Sequence, residues 1–309
     1  MTSSATVMAR LETVTAETPT RIAIPSDLHL TLDQHGTWRS SHRTAERLRA
    51  AVQDWNGRDL DAVVFIGDLV SDGARSQFDA FDRIIADLDH PFYAIPGNHD
   101  LIQRDGVDSL GLPEFERRYT PGGHPYHERI GGVDLLAVNS NSSTDTTIAD
   151  TYAGELSEAT QSWLAERLSA VDHPLVVVHH NLPGVRALHD RSIQQLEVSG
   201  GSPGFENADA VLETLGDAGS PLVLTGHLHF PAIVTEQSVT EFTLPSLGPY
   251  PCGYTIFEIG QRGAVATFHS VADYDERIEA FVLAAEHTRA QLAAAQFTGF
   301  PLRDDFGAP

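Results

Sequence analysis

The chain has 309 residues, 41% of them hydrophobic and 20% charged, which is enough to bury a full core and unlike a disordered segment. Its 43 acidic residues outnumber 20 basic ones, every one of them Arg, for a formal net charge of −23. A surface of this sign has no basic stripe to neutralise nucleic-acid phosphates, and no apolar run approaches the roughly 20 residues of a membrane span. Neither a nucleic-acid polymer nor a membrane is therefore an expected partner.

Residues 1–20 are rich in Ser, Thr, Ala and Glu and lack an apolar stretch of the kind a secretory signal needs, so they read as a flexible N-terminal tail. The single cysteine, Cys252, permits no internal disulfide and reads as a small core or loop residue, which fits a cytoplasmic location.

Strand-type and helix-type runs then alternate. Arg21-Ile22-Ala23-Ile24 is apolar and ends in Asp27-Leu28-His29. A helical period over 43–55, with Leu48 and Val52 on one face, precedes the run 62–66, which ends in Gly67-Asp68. A second helix over 76–88 leads to Phe92-Tyr93-Ala94-Ile95 and then Gly97-Asn98-His99-Asp100. Runs 126–130 and 133–138 around Gly131-Gly132 predict a hairpin. Ser157 predicts the N-cap of a helix through Trp163, Leu164 and Leu168. Leu175-Val176-Val177-Val178 ends in His179-His180, and Leu222-Val223-Leu224 ends in Gly226-His227-Leu228-His229. Between these two, 181–207 shows no clear period and reads as a lid or substrate loop, with a surface insertion left open. Short strands over 241–244, 254–259 and 264–269 would finish a second sheet. A helix over 274–296 would pack on the domain or on a partner subunit, a pattern compatible with a homodimer.

The alternation gives an α/β fold, and the polar clusters all fall at strand ends, where ligands collect in such sheets. They supply Asp, Asn and His, the oxygen and imidazole donors of a divalent metal pair. Such a pair, roughly 3.5–4 Å apart, needs a bridging carboxylate and terminal ligands on each ion.

The ordered set D-x-H, G-D, G-N-H-D, H, G-H-x-H resembles the calcineurin-like metallophosphoesterase superfamily. Gly67-Asp68-Leu69-Val70-Ser71-Asp72-Gly73 with Pro96-Gly97-Asn98-His99-Asp100 is most similar to its cyclic-nucleotide and glycerophosphodiester phosphodiesterase branch. Ser71 stands where purple acid phosphatases have a metal-binding Tyr, which disfavours a Tyr-ligated ferric site. The resemblance implies a two-sheet β-sandwich flanked by helices in βαβαβ units, over 21–270, with 271–309 as a C-terminal helix and tail. It implies two ions, Mn, Fe, Zn or Co, with Asp27, His29 and His229 on one, Asn98, His179 and His227 on the other, and Asp68 between them. His180 becomes a neighbour of the ligands or a substrate contact, exchanging roles with His179 if the register shifts by one. His99 would act as a charged acid or electrostatic stabiliser, with Asp100 orienting its ring. The implied reaction is hydrolysis of a small phosphodiester, such as a cyclic nucleotide, by a metal-bridging hydroxide. A phosphomonoesterase, a nucleotide pyrophosphohydrolase and a non-catalytic scaffold are the alternatives. His35, His42, His90, His124, His127, His173, His189, His269 and His287 read as ordinary surface or core histidines, and Asp72 as a turn residue or a neighbour of the ligands. Arg39, Arg43 and Arg186 could reach a phosphate from loops near the site, but each reads first as a solvated arginine.

The acidic excess matches a high-salt cytoplasm, where screening shortens the range of repulsion from about 10 Å at 0.1 M salt to about 3 Å at 1 M. On that reading the melting temperature rises between 0.1 and 2 M KCl. A flat or falling curve would assign the Arg-only composition to coding bias instead.

Overall fold

The computed structural model describes residues 5–32, 35–103, 106–142, 152–172, 174–195, 204–217 and 221–307. Runs of branched and aromatic residues, which suit a pleated surface better than a helix, form its strands. These are β1 (Thr6–Leu11), β2 (Thr20–Ile24), β3 (Ala62–Ile66), β4 (Phe92–Ile95), β5 (Tyr126–Ile130), β6 (Val133–Ala137), β7 (Asn141–Ser142), β8 (Glu155–Leu156), β9 (Leu175–Val177), β10 (Leu222–Thr225), β11 (Ala232–Glu236), β12 (Val239–Thr243), β13 (Gly253–Gly260), β14 (Gly263–Ser270) and β15 (Arg303–Asp304). The helices are α1 (Thr44–Asn56), α2 (Arg75–Ile85), α3 (Leu112–Tyr119), α4 (Glu158–Leu168), α5 (Pro183–Gln195), α6 (Ala208–Asp217), α7 (Tyr274–Leu283) and α8 (Thr288–Phe297). None of them is long and apolar enough to cross a membrane.

A seven-stranded sheet runs β15-β1-β14-β13-β2-β3-β4 and a six-stranded sheet runs β11-β12-β10-β9-β6-β5. Alternation along each strand decides what it buries. Ile22, Ile24, Val64 and Ile66 face Leu135, Leu175, Val177 and Leu224 across the sandwich. Ala23, Val63 and Phe65 point the other way, onto Leu48 and Val52 of α1 and Phe78 and Phe81 of α2. Val176 and Val223 pack likewise on Leu164 of α4 and Val211 and Leu215 of α6. The result is the expected sandwich with helices outside. β2, β3 and β4 are parallel, as are β6, β9, β10 and β12. The hairpin around Gly131-Gly132 forms as β5 and β6, and the Ser157 hydroxyl caps α4 by accepting from the Thr160 amide at 3.1 Å.

Three expectations are corrected. The segment 1–20 is not a tail throughout, because β1 pairs antiparallel with β14 and buries Met8, Ala9 and Leu11. The short apolar run Val7-Met8-Ala9 is masked in the sequence by its polar flanks, yet it covers an edge that would otherwise leave backbone groups unpaired. Within 181–207, residues 183–195 form α5 rather than a loop. Its buried stripe is Val185, His189 and Ile193, whose helical spacing is hidden by a histidine in the middle. The glycine-rich part of that segment, 196–203, lies outside the described residues. The single helix expected over 274–296 is two, α7 ending at Leu283 with Ala284 as its C-cap and α8 starting after His287. α7 leaves Tyr274, Ile278 and Val282 exposed, while α8 buries Leu292 and Ala293.

One buried carboxyl ties the sandwich to its working edge. Glu241 on β12 accepts hydrogen bonds from the Thr225 hydroxyl (2.7 Å), the Asn181 side-chain amide (3.0 Å) and the Leu182 amide (3.1 Å), anchoring the turn after β9. Burial raises its pKa from 4.5 to about 7 against these bonds. The native state therefore holds the proton more tightly than the unfolded chain, and stability present below about pH 4.5 is lost as pH rises through about 7. Glu241→Gln should flatten the fall in melting temperature between pH 5 and pH 8, a difference of on the order of a few kcal/mol. Parallel melting curves for the two proteins across that range would place the penalty elsewhere.

Candidate metal centre

The turns after the parallel strands share an uncommon backbone. Asp27 (φ 50°), His29 (50°), Asp68 (55°), His227 (65°) and His229 (62°) are left-handed, five of the nine non-glycine residues of that kind among the described residues. Each costs on the order of 1–3 kcal/mol, and such strain collects where a side chain must be aimed against local preference. Close approach of three loops makes the neighbouring glycines necessary. At Gly67 (φ 95°) a Cβ would lie 2.4 Å from His179 Nδ1, and at Gly97 it would lie 2.2 Å from Asp68 Oδ1.

The aimed side chains converge on Asp68. Its Oδ2 lies 3.5 Å from His29 Nε2 and 3.5 Å from His179 Nε2, while Oδ1 accepts from the His99 amide at 2.8 Å. On one side, His29 Nε2 and His229 Nε2 stand 3.0 Å apart and His229 Nε2 is 3.2 Å from Asp27 Oδ1. Donor atoms of Asp27, His29, Asp68 and His229 all lie within 4.8 Å of one another. On the other side, Asn98 Oδ1 is 3.3 Å from His179 Nε2 and 3.0 Å from His227 Nδ1. His179 donates Nδ1–H to the Ile66 carbonyl at 2.9 Å, so its Nε2 is left toward Asp68 and Asn98. All seven residues are buried.

The electrostatics call for a cation. Burial works to raise Asp27 and Asp68, yet the imidazoles of His229 and His179 for Asp27, and of His179, His99 and His29 for Asp68, hold both carboxyls below their usual range. Burial lowers His29 and His227 well below an ordinary histidine and lowers His229 as well, so these rings present lone pairs. Burial works to lower His179, but Asp68 beside it raises that ring to about 9, so an ion there would displace a proton. Two buried carboxylates, an amide oxygen and four imidazoles, with no thiolate, make a donor set suited to Mn, Fe, Zn or Co. The residues present fit such ions.

The remaining expected site residues divide. His180 lies behind the donors, its Nδ1 2.8 Å from the Ser140 hydroxyl and its ring 4.8 Å from that of His227. It is fully buried and does not line the cavity, so the substrate-contact option for it is withdrawn. His99 lines the cavity. Its Nδ1 donates to the Ser71 carbonyl at 2.7 Å and its Nε2 accepts from Arg39 at 3.1 Å, so the ring is neutral here rather than the expected imidazolium. Burial lowers its pKa, with Arg39 acting in the same sense against Asp68. Asp100 does not orient that ring. Its carboxylate accepts from the Gly97 amide (2.8 Å) and the Val70 amide (2.9 Å), pinning two loops, and burial beside Asp68 raises its pKa to about 7.

A cavity of about 220 Å³ opens over these donors, with Asp68, Asn98, His227 and His229 on its floor. Its walls include Trp38, Arg39, Tyr152, His287 and Arg289, of which the sequence offers only Arg39 as a possible phosphate contact. Arg39 lines the cavity instead of lying in solvent, and His287 stands in its wall instead of being an ordinary histidine. The usable signal was Trp38-Arg39 in a polar loop ten residues after the first donor pair, a costly aromatic to leave in water. Arg43, by contrast, pairs with Glu46 and Glu279 at the surface, as a solvated arginine does.

Residues 20–231 match the family model described as calcineurin-like phosphoesterase. A protein of Pseudoalteromonas sp. strain SM9913 named "probable cyclic nucleotide phosphodiesterase" is 32% identical over 126 residues, 40% of this chain and 44% of its own. One of the same name from Synechococcus sp. is 26% identical over 221 residues, 72% of this chain and 77% of its own. A glycerophosphodiester phosphodiesterase of Enterobacter lignolyticus is 32% identical over 126 residues, 40% of this chain and 42% of its own. The chain spans about half the length of several of these curated relatives. Among solved structures, a dimetal phosphatase from Danio rerio superposes with a TM-score of 0.60 at 15% identity, over 82% of this chain and 99% of the other. A purple acid phosphatase from yellow lupin gives 0.55 at 12% identity, over 85% of this chain and 55% of the other. These two likenesses concern the fold alone. The family match over 20–231 covers more than half of the sequence, and the chain belongs to the calcineurin-like phosphoesterase family.

Proposed function

We propose that the protein is a metal-dependent hydrolase of a small phosphodiester. The observation that carries this reading is Asp68, whose carboxylate lies between two donor sets at the floor of one cavity. Asp27, His29 and His229 would hold one ion, Asn98, His179 and His227 the other, with Asp68 bridging. When bound, a divalent pair supplies a nucleophilic water and neutralises charge on the phosphoryl oxygens. Names of relatives as phosphodiesterases favour a diester over a monoester. Against a non-catalytic scaffold stands the presence of every donor at the strand ends.

His99 is the group we assign to proton transfer at the leaving oxygen. Its Nε2 has no proton while it accepts from Arg39, so acid catalysis there requires Arg39 to turn from His99 to the substrate and Nε2 to take up a proton from solvent before giving it to the leaving oxygen. Asp100 contributes by fixing the loop that presents Asn98 and His99. A cytoplasmic setting belongs to the same reading, since the one thiol, Cys252, is buried and unpaired by any disulfide.

With Mn²⁺ added, hydrolysis of bis(p-nitrophenyl) phosphate should exceed that of p-nitrophenyl phosphate. The reverse preference would support a phosphomonoesterase, and activity on neither would leave the scaffold.

The donor assignment has its own test, because Mn²⁺ at about 100 times its Kd should stabilise the fold by about 2.7 kcal/mol. Asp68→Ala should lose that thermal shift along with activity. His99→Ala should keep the shift and lose about 10²–10⁴-fold in rate. Equal loss of Mn²⁺ binding in both variants would remove His99 from the chemistry and make it part of the metal shell.

A further inference from the structure

Two arginines that are not metal donors line the cavity. Arg39 follows the first donor pair, and Arg289 lies in the first turn of α8, yet both line the same cavity in a chain of net charge −23. Both are half-buried, and burial lowers the pKa of each guanidinium against the pull of Asp68 and Asp27. Arg39 donates to His99 Nε2, the one polar contact of its guanidinium among the described residues, and its buried Nε–H has no hydrogen-bond partner. A cation taken out of water without a partner for every N–H is costly unless an anion completes it.

The two arginines are held, not splayed. The Arg39 guanidinium lies 4.8 Å over the Trp38 ring, and Trp38 stacks on His287 at 3.7 Å with a 7° tilt. His287 is the N-cap residue of α8, so the stack joins the Arg39 loop to the helix that carries Arg289. Arg289 Nη1 donates to the His227 carbonyl at 2.9 Å, which fixes its guanidinium beside the donors. α8 lies beyond the family match, which ends at residue 231.

We propose that Arg39 and Arg289 form an oxyanion subsite facing the metal donors and that it prefers a phosphoryl group with two negative charges. Guanidinium forks match the oxygens of phosphate and give up little side-chain freedom in doing so. A diester carries one charge, whereas a phosphomonoester carries close to two at pH 7. The subsite therefore holds the monoester formed by diester cleavage more tightly than the diester. The retained-product part rests on the phosphodiesterase reading. The anion subsite itself does not.

The test is calorimetric titration of the Mn²⁺-loaded protein with inorganic phosphate, beside a titration of each variant with Mn²⁺. Arg39→Ala and Arg289→Ala should each weaken phosphate tenfold or more while Mn²⁺ affinity holds. In kinetics on bis(p-nitrophenyl) phosphate, p-nitrophenyl phosphate should inhibit the wild type with a constant below the diester KM. Both substitutions should raise that constant more than KM. Phosphate affinities within twofold of wild type, or a wild type that binds no phosphate, would overturn the proposal. Should Arg289→Ala lose Mn²⁺ through its link to His227, the Arg39→Ala titration decides alone. A wild type that cleaves neither ester yet binds phosphate through the arginines would remove the phosphodiesterase reading and leave the subsite standing.

Discussion

Asp68 is a charged group placed where charge is most expensive. It is buried, it lies in the field of a second buried carboxylate, Asp27, and it occupies a left-handed backbone position that disfavours any residue with a Cβ. Each of these costs on the order of one to several kcal/mol, and a core residue would avoid all three. The structure around it is built to make that placement tolerable. Gly97 approaches to a distance no Cβ allows, the His99 amide satisfies Oδ1, and imidazoles from β2 and β9 turns meet Oδ2. Removing Gly97, Gly67 or the backbone bonds of Asp100 would each disturb the same carboxylate from a different side.

The sandwich supplies the reason these turns meet. Parallel strands point their carboxyl ends the same way, and two parallel groups, β2-β3-β4 and β6-β9-β10-β12, bring their turns to one edge from opposite sheets. The His179 ring and the His227 amide cross between the groups to the Ile66 carbonyl (2.9 Å) and to Asp27 Oδ1 (3.0 Å), and backbone bonds tie the turns within each group. The Asp27 amide donates to the Gly67 carbonyl (3.1 Å) and the Gly226 amide to the His179 carbonyl (3.1 Å). A donor set spread over residues 27 to 229 is therefore rigid without any local helix or hairpin to hold it. This rigidity is what a site needs if its dipoles are to be in place before a substrate arrives.

Much of this was legible because strand ends and donors are local features. Asp27-Leu28-His29, Gly67-Asp68 and Gly226-His227-Leu228-His229 each sit directly after an apolar run, so the pattern and the chemistry are read together. β1 escaped notice because its partner, β14, is more than 250 residues away and its flanks look like a tail. α5 escaped because His189 interrupts the apolar stripe that defines it. The role expected of Asp100 failed for a different reason. Adjacent residues in a turn point apart, and its carboxylate turned inward to the Gly97 and Val70 amides rather than toward the ring of His99. Arg289 could not be found by any local rule, since the break between α7 and α8 that brings it to the cavity has no Pro or Gly to announce it.

The charge distribution gives the cavity a character opposite to the surface around it. At a net charge of −23 the exterior repels an anionic ester over about a Debye length, near 10 Å at 0.1 M salt, and that repulsion weakens as salt rises. Arg39 and Arg289 act at short range inside a half-closed cavity, where screening is weaker and the local dielectric is lower. Approach and capture are thus governed by charges of opposite sign at different distances. Raising salt lowers the barrier to approach more than it weakens the grip, so an acidic surface and an anion-binding cavity are compatible in this chain to the extent that the arginines stay half-buried. The Trp38–His287 stack, which holds the Arg39 loop against α8, and the Arg289 bond to the His227 carbonyl keep them there.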